Sequence, residues 1–413
     1  MAFGGQVRRV RVCLKGGGGY PIDVGPGTLS SLGAVARLQL AAEARRVALV
    51  SNPCVFDLYG ARAVASLRGA GFKVSRWLMG DGERFKNLRT AERCLRFLSE
   101  SGLERTDAVA ALGGGVVGDL AGFAAALYLR GVAFMQVPTT LLAQIDSSVG
   151  GKTGVNTRAG KNLFGAFHQP RAVVVDTKTL RTLPARELTA GWCEAIKQGA
   201  VGDRTLFERT LKFLEGELRR TVAGRCGAGR NASRVEAQGE ARGEGRGGVV
   251  DEGRDEELAE LIAAQCAFKA KIVAGDERED ISRADARSRR VLNFGHTVGH
   301  ALETLTNYRR FRHGEAVGHG MIAAAEISKR LGLLDDSELE SLRGAVRAAG
   351  QLPAASDLDA GAIARALRAD KKAVGGSVRW VLLERIGLAR IVDGREVSPR
   401  VIGESIRAAL GTR

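Results

Sequence analysis

His296 and His300 stand four residues apart, and His313 and His319 complete a window that holds four of the chain's five histidines. Imidazole is the commonest metal ligand and the side chain best suited to moving protons near neutral pH. Crowding a scarce residue into residues 296–319 therefore marks a candidate site. On a helix, positions i and i+4 share a face. His296 and His300 can point into one cleft or pack together at a helix–helix contact. A zinc protease helix would carry Glu directly after its first His; here that residue is Thr297, which argues against protease chemistry. His313-Gly314-Glu315 close behind favours a site over simple packing. Upstream, Glu194-Ala195-Ile196-Lys197 falls on a predicted helix over Ala190–Gly199. Glu194 could complete a His₂Glu zinc site with one coordination position left open for substrate.

A second cluster concerns phosphate. Gly113-Gly114-Gly115-Val116-Val117-Gly118-Asp119 follows an apolar run and opens a helical one, and fits G-x-G-x-x-G. Glycines there let backbone N–H groups approach a pyrophosphate at a helix N-terminus. The acidic ribose partner expected about 20 positions later is missing, because that region reads Pro138-Thr139-Thr140. Lys152-Thr153 after two glycines is not a P-loop, since Asp146 stands where the first glycine is required. Lysines on glycine-rich loops, Lys152 and Lys161-Asn162 among them, suit a phosphate or carboxylate on a small substrate.

These residues need a frame. Apolar runs at Arg46–Ser51, Lys73–Leu78, Ala108–Leu112, Ala133–Val137 and Ala172–Asp176 read as strands, with helices between them near 55 and over 117–130. That alternation predicts a parallel sheet covered by helices. After Pro184 the chain is rich in Ala, Leu, Glu and Arg at helical spacing, as in Ile322–Leu331 and Ser337–Ala349. The expectation is a Rossmann-like α/β NAD-binding domain over 1–186 and an all-α metal-binding domain over 187–413. Residues 219–254 are Gly, Arg, Ala and Glu with few large apolar side chains. Such a stretch is expected to be a disordered insertion.

At 413 residues, with 45% hydrophobic and 26% charged side chains, the composition is that of a globular protein. The net charge of +16 suits anionic substrates. Its arginines are spread along the chain and aromatics are only 5%, so neither nucleic acid nor a membrane is an expected partner. Six scattered cysteines without a C-x-x-C pair fit a reducing compartment. Met1–Arg8 lacks an apolar signal-peptide core, and no run of 18 apolar residues occurs. The expected location is cytoplasmic.

Taken together, Gly113–Asp119, Pro138–Asn156, Glu194–Lys197, Asn293–Glu303 and His313–Val317 resemble the signatures of the 3-dehydroquinate synthase family. The resemblance runs from Val50-Ser51-Asn52 to Asp370-Lys371-Lys372 and departs at 219–254 and near 281–288. It implies an NAD-binding α/β half, a helical metal-binding half and an active site between them. The implied reaction converts 3-deoxy-D-arabino-heptulosonate 7-phosphate to 3-dehydroquinate and phosphate. It proceeds by transient oxidation with NAD, phosphate elimination, re-reduction and intramolecular aldol closure. The resemblance implies Glu194, His296 and His313 as ligands of Zn²⁺, with Co²⁺ as an alternative. Lys152, Asn162, Lys197, Lys269, Arg289, Asn293, His300 and one of Lys371 and Lys372 match the substrate-contacting set, with His300 relaying the proton of the C5 hydroxyl. Asn52, Asp81, Glu83, Lys86, Gly115, Val116, Val117, Gly118, Asp119, Thr139, Thr140, Asp146, Lys152, Lys161 and Thr182 match NAD contacts. A homodimer is also implied.

Extra residues over Ile281–Ser288 leave Arg287 and Arg290 as alternatives to Arg289. Three rival functions stay open at this level. One is a related cyclase of the 2-deoxy-scyllo-inosose or valiolone type, against which Asn293 and His300 speak. Another is a metal-dependent alcohol or glycerol dehydrogenase, which would not need the lysines. The third is a basic scaffold using the Arg/Gly segment.

Overall fold

The computed structural model describes residues 6–15, 17–231, 252–280, 282–283, 285–373 and 378–411. The first half contains strands β1 (Arg8–Cys13), β2 (Gly19–Gly25), β3 (Arg46–Ser51), β4 (Lys73–Leu78), β5 (Ala108–Gly113), β6 (Ala133–Pro138), β7 (Lys152–Thr157), β8 (Gly160–Phe167) and β9 (Ala172–Asp176). Seven of them form one sheet in the order β1-β2-β9-β6-β5-β3-β4. Every neighbouring pair from β2 to β4 is parallel, and β1 closes one edge antiparallel to β2. All five strands read from the apolar runs are present. The β7–β8 hairpin stands apart as its own small antiparallel sheet.

The central strands read as unbroken apolar runs because both faces are covered. The helices of this half are α1 (Leu32–Gln39), α2 (Pro53–Val55), α3 (Ala61–Gly69), α4 (Leu88–Glu100) and α5 (Gly115–Leu127). Val47 and Leu49 pack with α1 and α3 on one face. Ala48 and Val50 pack with α4 and α5 on the other.

The second half holds α6 (Ala185–Gly202), α7 (Arg204–Asn231), α8 (Glu252–Gly275), α9 (His296–Leu305), α10 (His313–Arg330), α11 (Asp336–Ala349), α12 (Ala360–Ala373) and α13 (Pro399–Gly411). Gly314 through Ser328 on α10 are all buried, which explains why that helix is apolar or small around most of its circumference. The half is helical but not all-α. Strands β10 (Arg379–Arg385) and β11 (Leu388–Asp393) pair antiparallel, and Trp380, Leu382 and Leu383 join the helical core. The same core takes in Val12, Tyr20, Ile22 and Val24 from the sheet, so the two halves share apolar packing.

The expected insertion is shorter than 219–254. Residues 219–231 continue α7, and 252–254 belong to α8. Once α7 has formed, each added residue gains a hydrogen bond without a new nucleation cost. Glu217 also anchors this end, pairing with Arg220 at 2.6 Å and with Arg254 of α8. Residues 232–251 lie outside the described residues. Among the described residues, no helix is long and apolar enough to cross a membrane.

Candidate active site

In an open parallel sheet, ligands bind beyond the strand C-termini where the strand order reverses. Here that point lies between β3 and β5, because β3 leads outward to β4 while β5 leads to β6 on the other side. Ser51 Oγ donates to Leu112 O at 2.7 Å and ties the two strand ends together. Asn52 follows β3; its Oδ1 accepts from Val55 N at 2.8 Å, and its Nδ2 donates to Asp81 Oδ1 at 2.7 Å. Gly115 begins α5, and no side chain among the described residues caps the helix N-terminus. Its first N–H groups are of the kind that receive a pyrophosphate. Gly118 allows α5 to lie close on β6, since a Cβ there would stand 2.5 Å from Gln136 Oε1. Val116 is half-buried, while Val117 is buried in the sheet core.

The remaining cofactor candidates are held by local bonds. Thr139 N donates to Gly113 O at 3.0 Å, and Thr140 Oγ1 accepts from Ala143 N at 3.2 Å. Glu83 accepts from Asn156 Nδ2 at 2.7 Å. Lys86 is buried, with Nζ 2.5 Å from Asp119 Oδ2 and 2.6 Å from Asn162 Oδ1. Burial works against its charge, but the Asp119 and Glu83 carboxylates carry its pKa above the ordinary lysine value. Thr182 follows β9 and shares a 2.5 Å hydrogen bond with the Tyr59 hydroxyl.

The histidine window is assembled by helix packing. Gly314 lets α10 cross α6 closely: a Cβ there would lie 1.9 Å from Ala190 O. This brings His313, at the start of α10, to Glu194. Nε2 of His313 lies 3.7 Å and Nε2 of His296 lies 4.0 Å from Glu194 Oε1. His300 is exposed and joins the same group, in which one ligand atom from each of the three histidines lies within 4.8 Å of the others. His319 is not part of it. It bonds Pro353 O at 2.9 Å and packs edge-on against Phe311.

The donor set fits a divalent cation. Glu194 is only 1% exposed; the Lys197 ammonium lies against Oε2, and no other described residue gives the carboxylate a hydrogen bond. His296 Nδ1 bonds Phe294 O, and His313 Nδ1 bonds Glu303 Oε2, each at 3.2 Å. Carbonyl and carboxylate oxygens only accept, so both Nδ1 atoms carry protons and both Nε2 atoms turn toward Glu194. Burial, then the nearby Lys197 charge, pushes the His296 pKa well below the usual histidine value. His313 goes the other way: burial opposes its charge, but the Glu303 and Glu194 carboxylates raise its pKa overall. Glu303 is held down to about 2, because His313 and Lys161 outweigh its burial.

Further cations stand near this cluster, Lys197 against Glu194 and Lys161 against Glu303. Lys269 donates to Asp146 O at 2.5 Å and to its Oδ1 at 2.8 Å. Burial lowers the Lys269 pKa to about 8, Asp146 opposing and Arg289 assisting. Burial would raise the Asp146 pKa, but Lys269 and Lys197 hold it well below the usual carboxylate range. Arg289 is the buried one of the three candidate arginines and donates to Gly150 O at 2.9 Å and Glu277 O at 3.0 Å; Arg287 is exposed and Arg290 half-buried. Lys152 pairs with Glu279. Asn162 adopts a left-handed backbone at φ 55°, and Asn293 is exposed. Lys371 and Lys372 fall on α12, and their side chains lie outside the described residues. Lys161 reaches from β8 to Glu303 of α9, at 2.9 Å. The sequence reading assigned no role to Glu303. Its place three residues after His300 does not by itself mark it, because a carboxylate on a helix is ordinarily solvated.

A family model for the 3-dehydroquinate synthase N-terminal region matches residues 76–190, and one for the C-terminal region matches residues 247–373. The 3-dehydroquinate synthase of Nostoc punctiforme is 42% identical over 91% of this chain and 93% of its own. That of Pelotomaculum thermopropionicum is 44% identical over 91% and 90%. The chain belongs to the 3-dehydroquinate synthase family. A solved 2-epi-5-epi-valiolone synthase from Streptomyces hygroscopicus subsp. jinggangensis, with NAD⁺ and Zn²⁺ bound, is similar in fold, with a TM-score of 0.77 and 26% identity over 97% of this chain and 99% of that one. Membership in the synthase family accounts for an enzyme site in which carboxylate, imidazole and ammonium groups converge at the junction of a sheet and a helical half.

Proposed function

We propose that this protein converts 3-deoxy-D-arabino-heptulosonate 7-phosphate to 3-dehydroquinate and phosphate, as an NAD- and metal-dependent carbon–oxygen lyase. The observation that carries the reading is the buried Glu194 carboxylate: Lys197 lies against Oε2, while Oε1 faces two imidazole Nε2 atoms and has no hydrogen-bond partner among the described residues. Family membership at over 40% identity supports the substrate. The reading divides the chain into a cofactor-binding half, 1–186, and a metal-binding half, 187–413.

Glu194, His296 and His313 would hold Zn²⁺ or Co²⁺. The open N-terminus of α5, with Asn52, Asp81, Glu83, Thr139, Thr140 and their neighbours, would hold NAD. When bound, the ion supplies Lewis acidity to the hydroxyl pair that includes C5, and NAD supplies a recyclable hydride acceptor. The protein's own groups do the rest. Lys152, Lys197, Lys269 and Arg289, with Asn162, Asn293 and Lys371 or Lys372, bind the substrate carboxylate and phosphate and fix its reacting geometry. His300, exposed at the mouth of the cluster, takes the C5 hydroxyl proton. The same cations stabilise the negative charge that the departing phosphate carries. A homodimer and a cytoplasmic location complete the reading.

The test is phosphate release from the heptulosonate phosphate with zinc and NAD well below substrate concentration. Many turnovers per NAD are expected. Stoichiometric NADH without phosphate would instead identify a dehydrogenase. Turnover only of a heptulose phosphate lacking the carboxylate would identify a related cyclase.

A further inference from the structure

Glu303 lies on α9, three residues beyond His300, and is buried while carrying a charge. Its two oxygens serve different halves of the molecule. Oε2 accepts from Nδ1–H of His313 at 3.2 Å. That bond fixes the ring, leaving Nε2 to face Glu194. Oε1 accepts from Lys161 Nζ at 2.9 Å. Lys161 comes from β8, the partner of the strand that carries Lys152, and it also sits 4.3 Å from the centre of the Tyr308 ring. One carboxylate therefore joins the histidine cluster to the β7–β8 hairpin.

We propose that Glu303 is a positioning residue that couples the metal site to the β7–β8 hairpin, aiming His313 at the ion while Lys161 clamps the carboxylate in place. The inference rests on the reading of Glu194, His296 and His313 as metal ligands. A carboxylate behind a ligating imidazole fixes its tautomer and raises its basicity, and losing it typically weakens metal binding about 10–100-fold. Lys161 adds a second consequence. With Nζ removed, Oε1 loses its partner and the carboxylate gains freedom to turn away from His313. The position of the hairpin and the affinity of the ion then become linked quantities, and by reciprocity each influences the other.

The test is zinc affinity of the full-length, NAD-free protein, measured by competition with a chromogenic chelator. Glu303→Ala should weaken zinc binding about 10–100-fold. Glu303→Gln keeps the volume and an acceptor for Nδ1–H, and should weaken it less. Lys161→Ala should weaken it about fivefold or more in the unsubstituted background, and have no further effect once Glu303 is Ala. Circular dichroism and thermal melts identify any variant that fails to fold; if Glu303→Ala is one, Glu303→Gln decides. Both Glu303 variants binding zinc within about twofold of the parent, against the 10–100-fold expected of a ligand-orienting group, would overturn the inference. So would an equal effect of Lys161→Ala with and without Glu303. His313→Ala separates the two levels. If it loses zinc while the Glu303 variants do not, the inference alone fails. If it binds zinc fully, the metal-site reading itself fails and takes the inference with it.

Discussion

Lys197→Met should destabilise the metal-free protein far more than a surface substitution would, and zinc should restore part of the loss. Lys197 and Glu194 form an ion pair whose side chains are 2% and 1% exposed. No other described residue gives the carboxylate a hydrogen bond, so the ammonium is its principal compensation. Breaking a buried pair from one side leaves an uncompensated charge and costs about 3–5 kcal/mol. Methionine keeps the length of the stem, so little of the cost comes from a cavity. In EDTA, with a urea m value of about 3 kcal/mol/M, the unfolding midpoint should fall by about 1 M or more. Zinc at a hundredfold over its Kd stabilises any protein that binds it by about 2.7 kcal/mol. The substituted site should gain relatively more, because the ion replaces the missing positive charge and no longer meets Lys197. The gap between parent and variant should therefore narrow in zinc. The double variant Glu194→Gln/Lys197→Met removes both charges and should recover most of the stability in EDTA. An unchanged midpoint for Lys197→Met in EDTA would refute the pairing argument. A gap of the same size with and without zinc would show that the ion does not sit against Glu194.

Three further outcomes follow from the same geometry. The Lys269 pKa of about 8 means that its charge is present below that pH and lost above it; kcat/KM for the anionic substrate should fall as pH rises through about 8, and Lys269→Arg should move that fall to much higher pH. Glu303 has a folded pKa near 2 against an ordinary 4.5, so it contributes stability that is complete above about pH 4.5 and lost as pH falls toward 2; acid titration of metal-free Glu303→Gln should show a shallower loss than the parent, and identical acid limbs would contradict the pairing. Replacing 232–251 with a short Gly-Ser linker should leave phosphate release within about twofold of the parent, because halving the length of a connection changes its closure free energy by only about 0.6 kcal/mol; loss of turnover in a folded variant would give that segment a role in the site.

Much of the sheet was legible because its central strands are short apolar runs covered on both faces, while β4, at the edge, is only partly covered. Arg46–Ser51, Lys73–Leu78 and Ala172–Asp176 match the observed strands end to end. The hairpins were not. Strand β7 is mostly Gly, Asn, Thr and Lys, and the apolar residues of β8, Leu163, Phe164, Ala166 and Phe167, do not alternate, so no period-2 pattern announces the pair; their pairing goes with packing beside α5. The β10–β11 hairpin carried a visible signal in Val381-Leu382-Leu383 and the Ile386-Gly387 turn. It was masked by the Ala-, Leu- and Arg-rich sequence around it.

The site divides along a similar line. Motifs carry what is local: Glu194 and Lys197 one helical turn apart, His296 and His300 on one face. They do not carry which of these groups meet. Gly314 sets the approach of α10 to α6, and only that crossing brings His313 to within 3.7 Å of Glu194. Glu303 shows why the linking residues are the hardest to read. Its partners lie 10 and 142 positions away, and neither bond leaves a trace in the spacing of α9. A carboxylate on a helix is ordinarily solvated, so nothing in the sequence separates this one from the rest. What separates it is burial with both oxygens committed, one to an imidazole and one to an ammonium from the opposite half. A buried charge so placed has few alternative arrangements, and any shift of the hairpin must be felt at His313.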